Sequence, residues 1–172
     1  MSIGKSFIPE FDHEMESTRK MLERLPEDKL EFKPDPKSMA LGRLAGHVTE
    51  MIGWGSMTLS SESLDIAPGG KQAFEALVAK SRDQLLGEFD KNVKDLRAAL
   101  EGASDADMMK NWQLLANGQV MLSLPRAGVI RSMILNHIIH HRAQLSVYYR
   151  LTGVPVPGMY GPSADEGRAA GA

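Results

Sequence analysis

Between Pro125 and Gly153 the chain reads as one long helix whose inward stripe runs Ile130, Ile134, His137, His141, Leu145 and Tyr148, so two imidazoles interrupt an apolar face. A buried neutral imidazole needs partners for both ring nitrogens, and an unpartnered polar group inside a protein costs about 1–3 kcal/mol. A divalent ion is one such partner. Histidines at i and i+4 lie about 6 Å apart on one helix face, so both rings can converge on a single ion from adjacent turns. The fold must then bring a third ligand from another helix, and His47 is the best candidate. Its competing reading is a core histidine satisfied by its own hydrogen bonds.

The other histidines fit this site poorly. His140 points away from the stripe by about a quarter turn and belongs at a rim or surface. His13 falls off its helix's apolar face and is expected in solvent. Glu50, one turn after His47, could hydrogen-bond a ligand imidazole or accept a proton, although a solvated helix glutamate is the commoner outcome. Asn136 and Gln144 could orient ligands or simply edge the stripe. Trp54 and Tyr148 could line a cavity, with core packing as the simpler account.

Three further helical patterns precede this one. The first is expected from about Pro9 to Leu25, with Phe11, Met15, Thr18, Leu22 and Leu25 on one face, and Pro26 ends it. Ser38 reads as an N-cap for a second helix from about Met39 to Ser60, striped by Leu41, Leu44, Val48, Ile52 and Leu59. Gly53 and Gly55 weaken that helix or admit a close neighbour. A third is expected from about Lys71, after the Pro68-Gly69-Gly70 turn, to Leu100, with Phe74, Leu77, Leu85, Phe89, Val93 and Leu96 inward. Residues 111 to 124 carry an Asn117-Gly118 signal of a hairpin or an irregular lid, with an extended crossover as the other reading. The whole of 1–172 reads as one domain, a core over about 5–153 and a tail over 154–172 whose last few residues fray.

Composition removes several function classes. With no cysteine there is no disulfide, no protein thiol nucleophile and no thiolate metal site, so any ion must sit on nitrogen and oxygen. The net charge of −2, with both signs interspersed, gives no footprint for a nucleic-acid backbone. No stretch approaches the roughly 18 apolar residues of a membrane span, and the acidic N-terminus lacks a signal-peptide core, so the expected location is cytoplasmic. Neither a phosphate loop, a Gly-x-Ser-x-Gly elbow nor a His-Glu-x-x-His sequence is present.

Taken together, His47 within His-Val-Thr-Glu-Met-Ile-Gly-Trp, Asn-His-x-x-x-His at residues 136–141, Arg-Leu-Thr-Gly-Val-Pro-Val-Pro and the closing Tyr-Gly-Pro-Ser-Ala-Asp-Glu resemble the DinB family of metal-binding four-helix bundles. The resemblance spans the chain and is most specific in its last forty residues. It implies an antiparallel four-helix bundle of up-down-down-up order, and with the segment read above the expected fold is all-α with a short extended or hairpin stretch before the last helix. It also implies a divalent ion on His47, His137 and His141, and commonly a homodimer. Relatives in the wider superfamily include thiol-dependent S-transferases, a thiol-linked isomerase and proposed metal-dependent hydrolases.

Three imidazoles leave coordination positions open, as catalytic rather than structural ions require. The expected ion is zinc or nickel, with iron, cobalt, copper and manganese also suited to the donors. The expected function is a metal-dependent enzyme, hydrolase or thiol S-transferase, acting on a small molecule of unknown identity. The alternative is a non-catalytic metal- or ligand-binding stress-response module. Arg126, Arg131 and Arg142 could hold the polar arms of a thiol, and Glu50, Asp165 or Glu166 could serve a hydrolase as base. The tail, with Tyr160 and its prolines, is expected to pack over the bundle or a dimer partner.

Overall fold

Ser2 opens the first helix: its hydroxyl accepts from the Lys5 N–H, while the Asp105 carboxylate accepts from the Ile3 N–H at 2.6 Å. The computed structural model describes residues 2–167. Helix α1 spans Ile3–Leu22 and so starts six residues before the expected Pro9, which instead sits inside it. Helix α2, Leu41–Ser60, keeps its expected stripe, although Ala40 rather than Ser38 is its N-cap and makes no side-chain cap bond.

The third helix departs most from expectation. Helix α3 is Arg82–Gly102, and residues 71–81 form a non-helical strap laid across α2. Ser81 caps α3 by accepting from the Gln84 N–H at 3.1 Å, and Gln84 Oε1 in turn accepts from the Lys80 N–H. Two α2 glycines let the strap's backbone come close. The Ala79 N–H donates to the Gly42 carbonyl at 3.0 Å, and a Cβ on Gly46 would lie 2.0 Å from the Leu77 carbonyl oxygen. Phe74, expected in the core, is consequently 48% exposed.

A short helix α4, Asp105–Met109, leads into a hairpin of β2, Asn111–Ala116, and β3, Gln119–Pro125. Asn117 and Gly118 both have positive φ, the turn expected of Asn-Gly. The fold is mostly helical but not purely so, because β1, Ser63–Asp65, pairs in parallel with β2 to make a three-stranded sheet in the order β1-β2-β3. The Asp65 carboxylate fixes that pairing by accepting from the backbone N–H groups of Asn117 and Gly118 at 2.9 and 2.8 Å.

The last helix runs without a break through α5, Arg126–Val129, a π-wound stretch, Ile130–Leu135, and α6, Asn136–Thr152, and Gly153 ends it in the left-handed conformation. Both α1 and α2 pack against α3 and α6. Phe11, Leu44, Ile52, Phe89, Leu96, Ile138 and Leu145 are buried where these faces meet. One buried cluster in this core is ionic. Arg142 pairs with Glu14 at 2.7 Å and also donates to Thr18 Oγ1, to the Glu14 carbonyl and to the Tyr160 hydroxyl. Tyr160 thereby ties the tail to α1 and α6, as expected for packing over the bundle, and Val156 of the same tail is buried. The fraying expected of the last residues falls, for 168–172, outside the described residues.

Candidate metal centre

The three predicted histidines do meet. His47 comes from the middle of α2, and His137 and His141 come from adjacent turns of α6; one ring nitrogen of each lies within 4.8 Å of the others. Ring centroids are 4.7 Å apart for His47 and His141, 4.7 Å for His137 and His141, and 5.3 Å for His47 and His137. All three rings are mostly shielded, and His141 is 8% exposed.

Partners on the far side of the rings orient them. Nδ1 of His47 donates to Glu50 Oε1 at 2.7 Å, and Nδ1 of His141 donates to Gln144 Oε1 at 2.7 Å, so each ring turns its Nε2 lone pair inward. Burial works to raise the Glu50 pKa, but hydrogen bonds from His47, the Leu77 N–H and Arg43 outweigh it and hold the carboxyl below its ordinary value. Burial, the neighbouring His47 and His140 charges acting with it, pushes His137 down despite a backbone hydrogen bond to Met133. Burial likewise pushes His141 down to about 4, the Gln144 hydrogen bond opposing and the other imidazoles adding to the shift. These two rings are therefore neutral at pH 7, the form a metal requires.

The donor geometry fits an ion. Nε2 of His141 faces Nε2 of His137 at 2.9 Å, and the His141 nitrogen presents a lone pair because its proton is committed to Gln144. Metal–imidazole bonds of about 2.0–2.1 Å in a tetrahedral set place nitrogens roughly 3.4 Å apart, which these three reach with sub-ångström to ångström shifts. Among the described residues no carboxylate joins this group, so the donor set is three imidazoles.

A winding irregularity sits just before the two α6 histidines. In the π stretch the Asn136 N–H donates to the Arg131 carbonyl, five residues back, and the register of α6 is offset by one residue, about 100° of helix phase, relative to α5. This is the kind of helix defect that recurs at functional sites, and apolar periodicity does not reveal it. Arg43 was also missed. It lies four residues before His47 and seven before Glu50, donates to Glu50 Oε1 at 2.6 Å and to the Leu77 carbonyl at 3.1 Å, and ties the strap to the site. The Arg43, His47 and Glu50 spacing on one helix face was the signal available for it.

The sequence profile described as the DinB family matches residues 1–170. The chain belongs to the DinB family. Over 163 residues, covering 93% of this chain and 89% of the relative, it is 26% identical to the uncharacterized protein YrdA of Bacillus subtilis. The crystal structure of a DinB-like protein from Bacillus cereus superposes with a TM-score of 0.68 at 26% identity, covering 91% of this chain and 97% of that one. The DinB-like protein YjoA of Bacillus subtilis, at 17% identity, has a TM-score of 0.65 over 87% of this chain and 96% of its own, and so shares the fold.

Around the three histidines of this DinB-family protein, the other sequence candidates sort clearly. Glu50 and Gln144 hold the His47 and His141 imidazoles, while Asn136, His140 and His13 are exposed. Trp54 packs edge-on against His47 at 5.4 Å between centroids and lines a cavity of about 690 Å³ between α2, α3, the strap and the sheet. Glu50 lines it too, so the cavity adjoins the histidines, although the imidazoles themselves do not form its wall. Tyr148 does not reach it; the ring is buried and its hydroxyl donates to the Met39 carbonyl. Asp165 and Glu166 are taken up within the tail by the N–H groups of Val156 and Gly158, away from the site. Arg142 and Arg131 are paired with Glu14 and Glu10, and Arg126 donates to the Ser61 carbonyl.

Proposed function

We propose that this DinB-family protein is a metal-dependent enzyme that holds one divalent ion, zinc or nickel, on His47, His137 and His141 and acts on a small molecule bound in the adjoining cavity. The carrying observation is the pair of Nε2 atoms of His137 and His141 opposed at 2.9 Å, with His141 and the neighbouring His47 held from behind by Gln144 and Glu50, beside about 690 Å³ of open volume. A divalent ion held there supplies Lewis acidity, which promotes ionisation of a water or a small-molecule thiol, for hydrolysis or S-transfer respectively.

The chain's own residues have separable tasks. Glu50 and Gln144 orient and polarise two imidazoles. Glu50 is a positioning residue and not the base, because its carboxylate already accepts from His47, Arg43 and the Leu77 N–H. Trp54 and the strap wall the cavity, and Trp54 packs edge-on against His47. Three protein donors without a fourth among the described residues, next to an open cavity, support this reading over a non-catalytic metal module. The arginines proposed as holders of a thiol's arms all lie elsewhere, which favours hydrolysis over S-transfer. With the function we take the homodimer and the up-down-down-up helix order that the resemblance implies; packing of α1 and α2 on both α3 and α6 supports the latter.

The test is turnover by zinc-loaded and chelator-treated protein on a panel of small esters, amides and thiol–electrophile pairs. Turnover that follows metal content and disappears in His141→Ala at unchanged fold is the expected result. Full activity in chelated protein, or none on any pair with one ion bound per chain, overturns the enzyme reading.

A further inference from the structure

The cavity beside the histidines has a chemical signature of its own. Its walls are mainly apolar and aromatic, with Trp54 and Met57 from α2, Trp112 from β2, Phe74 from the strap and Met133 from the π stretch. Its charged groups are uneven. The one cation, Arg43, is spent on Glu50 and the Leu77 carbonyl. Glu50 is matched by Arg43, His47 and the Leu77 N–H, whereas Glu75 and Glu88 line the same cavity, are exposed at its mouth, and have no ion-pair partner among the described residues. A ligand entering here meets no free cation to compensate a phosphate or carboxylate and passes two unmatched carboxylates.

We infer that the cavity takes an amphiphilic amine: a ligand with an aryl or alkyl body seated between Trp54 and Trp112 and a cationic nitrogen at the Glu75 and Glu88 mouth. The inference rests on the proposed function in treating this cavity as the substrate pocket of the metal centre, and it names the substrate class. The ammonium gains two carboxylates, the apolar body leaves water, and the indole faces add attraction for a cation that penetrates further. An anionic thiol such as a carboxylated tripeptide is disfavoured by the same groups.

The chain's two tryptophans both line the cavity, so intrinsic fluorescence reports occupancy directly. The probes are 4-phenylbutylamine, 4-phenylbutanol and 4-phenylbutyrate, which share a body and differ in charge, titrated into zinc-loaded full-length protein at pH 7. The amine is expected to bind about tenfold more tightly than the carboxylate, with the alcohol between them, and Glu75→Gln/Glu88→Gln is expected to erase the difference without altering zinc content. Equal or tighter binding of the carboxylate, a preference that survives the double substitution, or no fluorescence response to any probe overturns the assignment. Zinc content measured on the same samples separates the two claims. Amine selectivity without bound zinc sinks the metal reading and keeps the cavity's ligand class, and bound zinc without selectivity does the reverse.

Discussion

Two polar clusters lie inside this molecule, and they solve burial in opposite ways. Around Arg142 every charge is answered by protein: Glu14 supplies the counter-charge, Thr18 and the Glu14 carbonyl take further guanidinium protons, and the Tyr160 hydroxyl bonds to both members of the pair. Around His141 only the outer half is answered. Glu50 and Gln144 satisfy the Nδ1 atoms of His47 and His141, and the Nε2 atoms of His137 and His141 are left facing one another. A closed network is a structural clamp. One that is complete on its outside and open on its inside is built for something that arrives later.

The largest effect that separates them should come from the closed cluster. Glu14→Ala leaves the guanidinium of Arg142, 2% exposed, without its counter-charge and should cost about 3–5 kcal/mol, read as a fall in denaturation midpoint, with metal bound per folded chain unchanged. In the open cluster the pattern reverses. His141→Ala should leave the metal-free protein close to parental stability while removing the stabilisation that added zinc confers, about 2.7 kcal/mol when the ion is at a hundred times its Kd. If instead the metal-free variant unfolds like Glu14→Ala, the histidines are structural and the comparison fails.

Smaller changes sharpen the same contrast. Glu50→Gln should weaken metal affinity about 10–100-fold by isothermal titration, because the neutral amide removes the imidazole's negative partner. Tyr160→Phe should cost about 1 kcal/mol and loosen the tail to proteolysis without touching metal content. The pH dependence of the metal-free protein probes the open cluster without a substitution. The His141 pKa is lowered from 6.5 to about 4 by burial, so between those values the unfolded chain binds the proton first. Stability from this group is fully present above about pH 6.5 and is lost as pH falls toward 4; a flat chemical-denaturation profile over that window contradicts it.

What was legible in the sequence was whatever repeats along one helix. The stripe from Ile130 to Tyr148 put both α6 histidines on the inward face, His47 stood beside its reading as a core histidine until the family resemblance singled it out, and Asn117-Gly118 announced the hairpin. What was not legible depends on contacts across the chain. Phe74 and Leu77 fall three apart and imitate a helix, yet Gly42 and Gly46 on α2 offer a bare backbone track on which residues 71–81 dock extended. Ser81 and Gln84 carried a capping signal that marked the true start of α3, overshadowed by the Pro-Gly-Gly turn upstream. The parallel pairing of β1 with β2 joins segments about fifty residues apart and leaves no local trace. Arg142 read as a candidate holder of a thiol's polar arms because nothing near it in sequence reveals Glu14.

The central claim is that the open cluster is completed by an ion. Its most direct test is elemental analysis of untagged protein, purified without metal-affinity resin, beside His137→Ala/His141→Ala. The account predicts about one divalent ion per chain in the parent and essentially none in a variant of equal thermal stability once both are stripped of metal. Parent protein that holds no ion and takes up no zinc on titration, or a variant that retains it, contradicts the account.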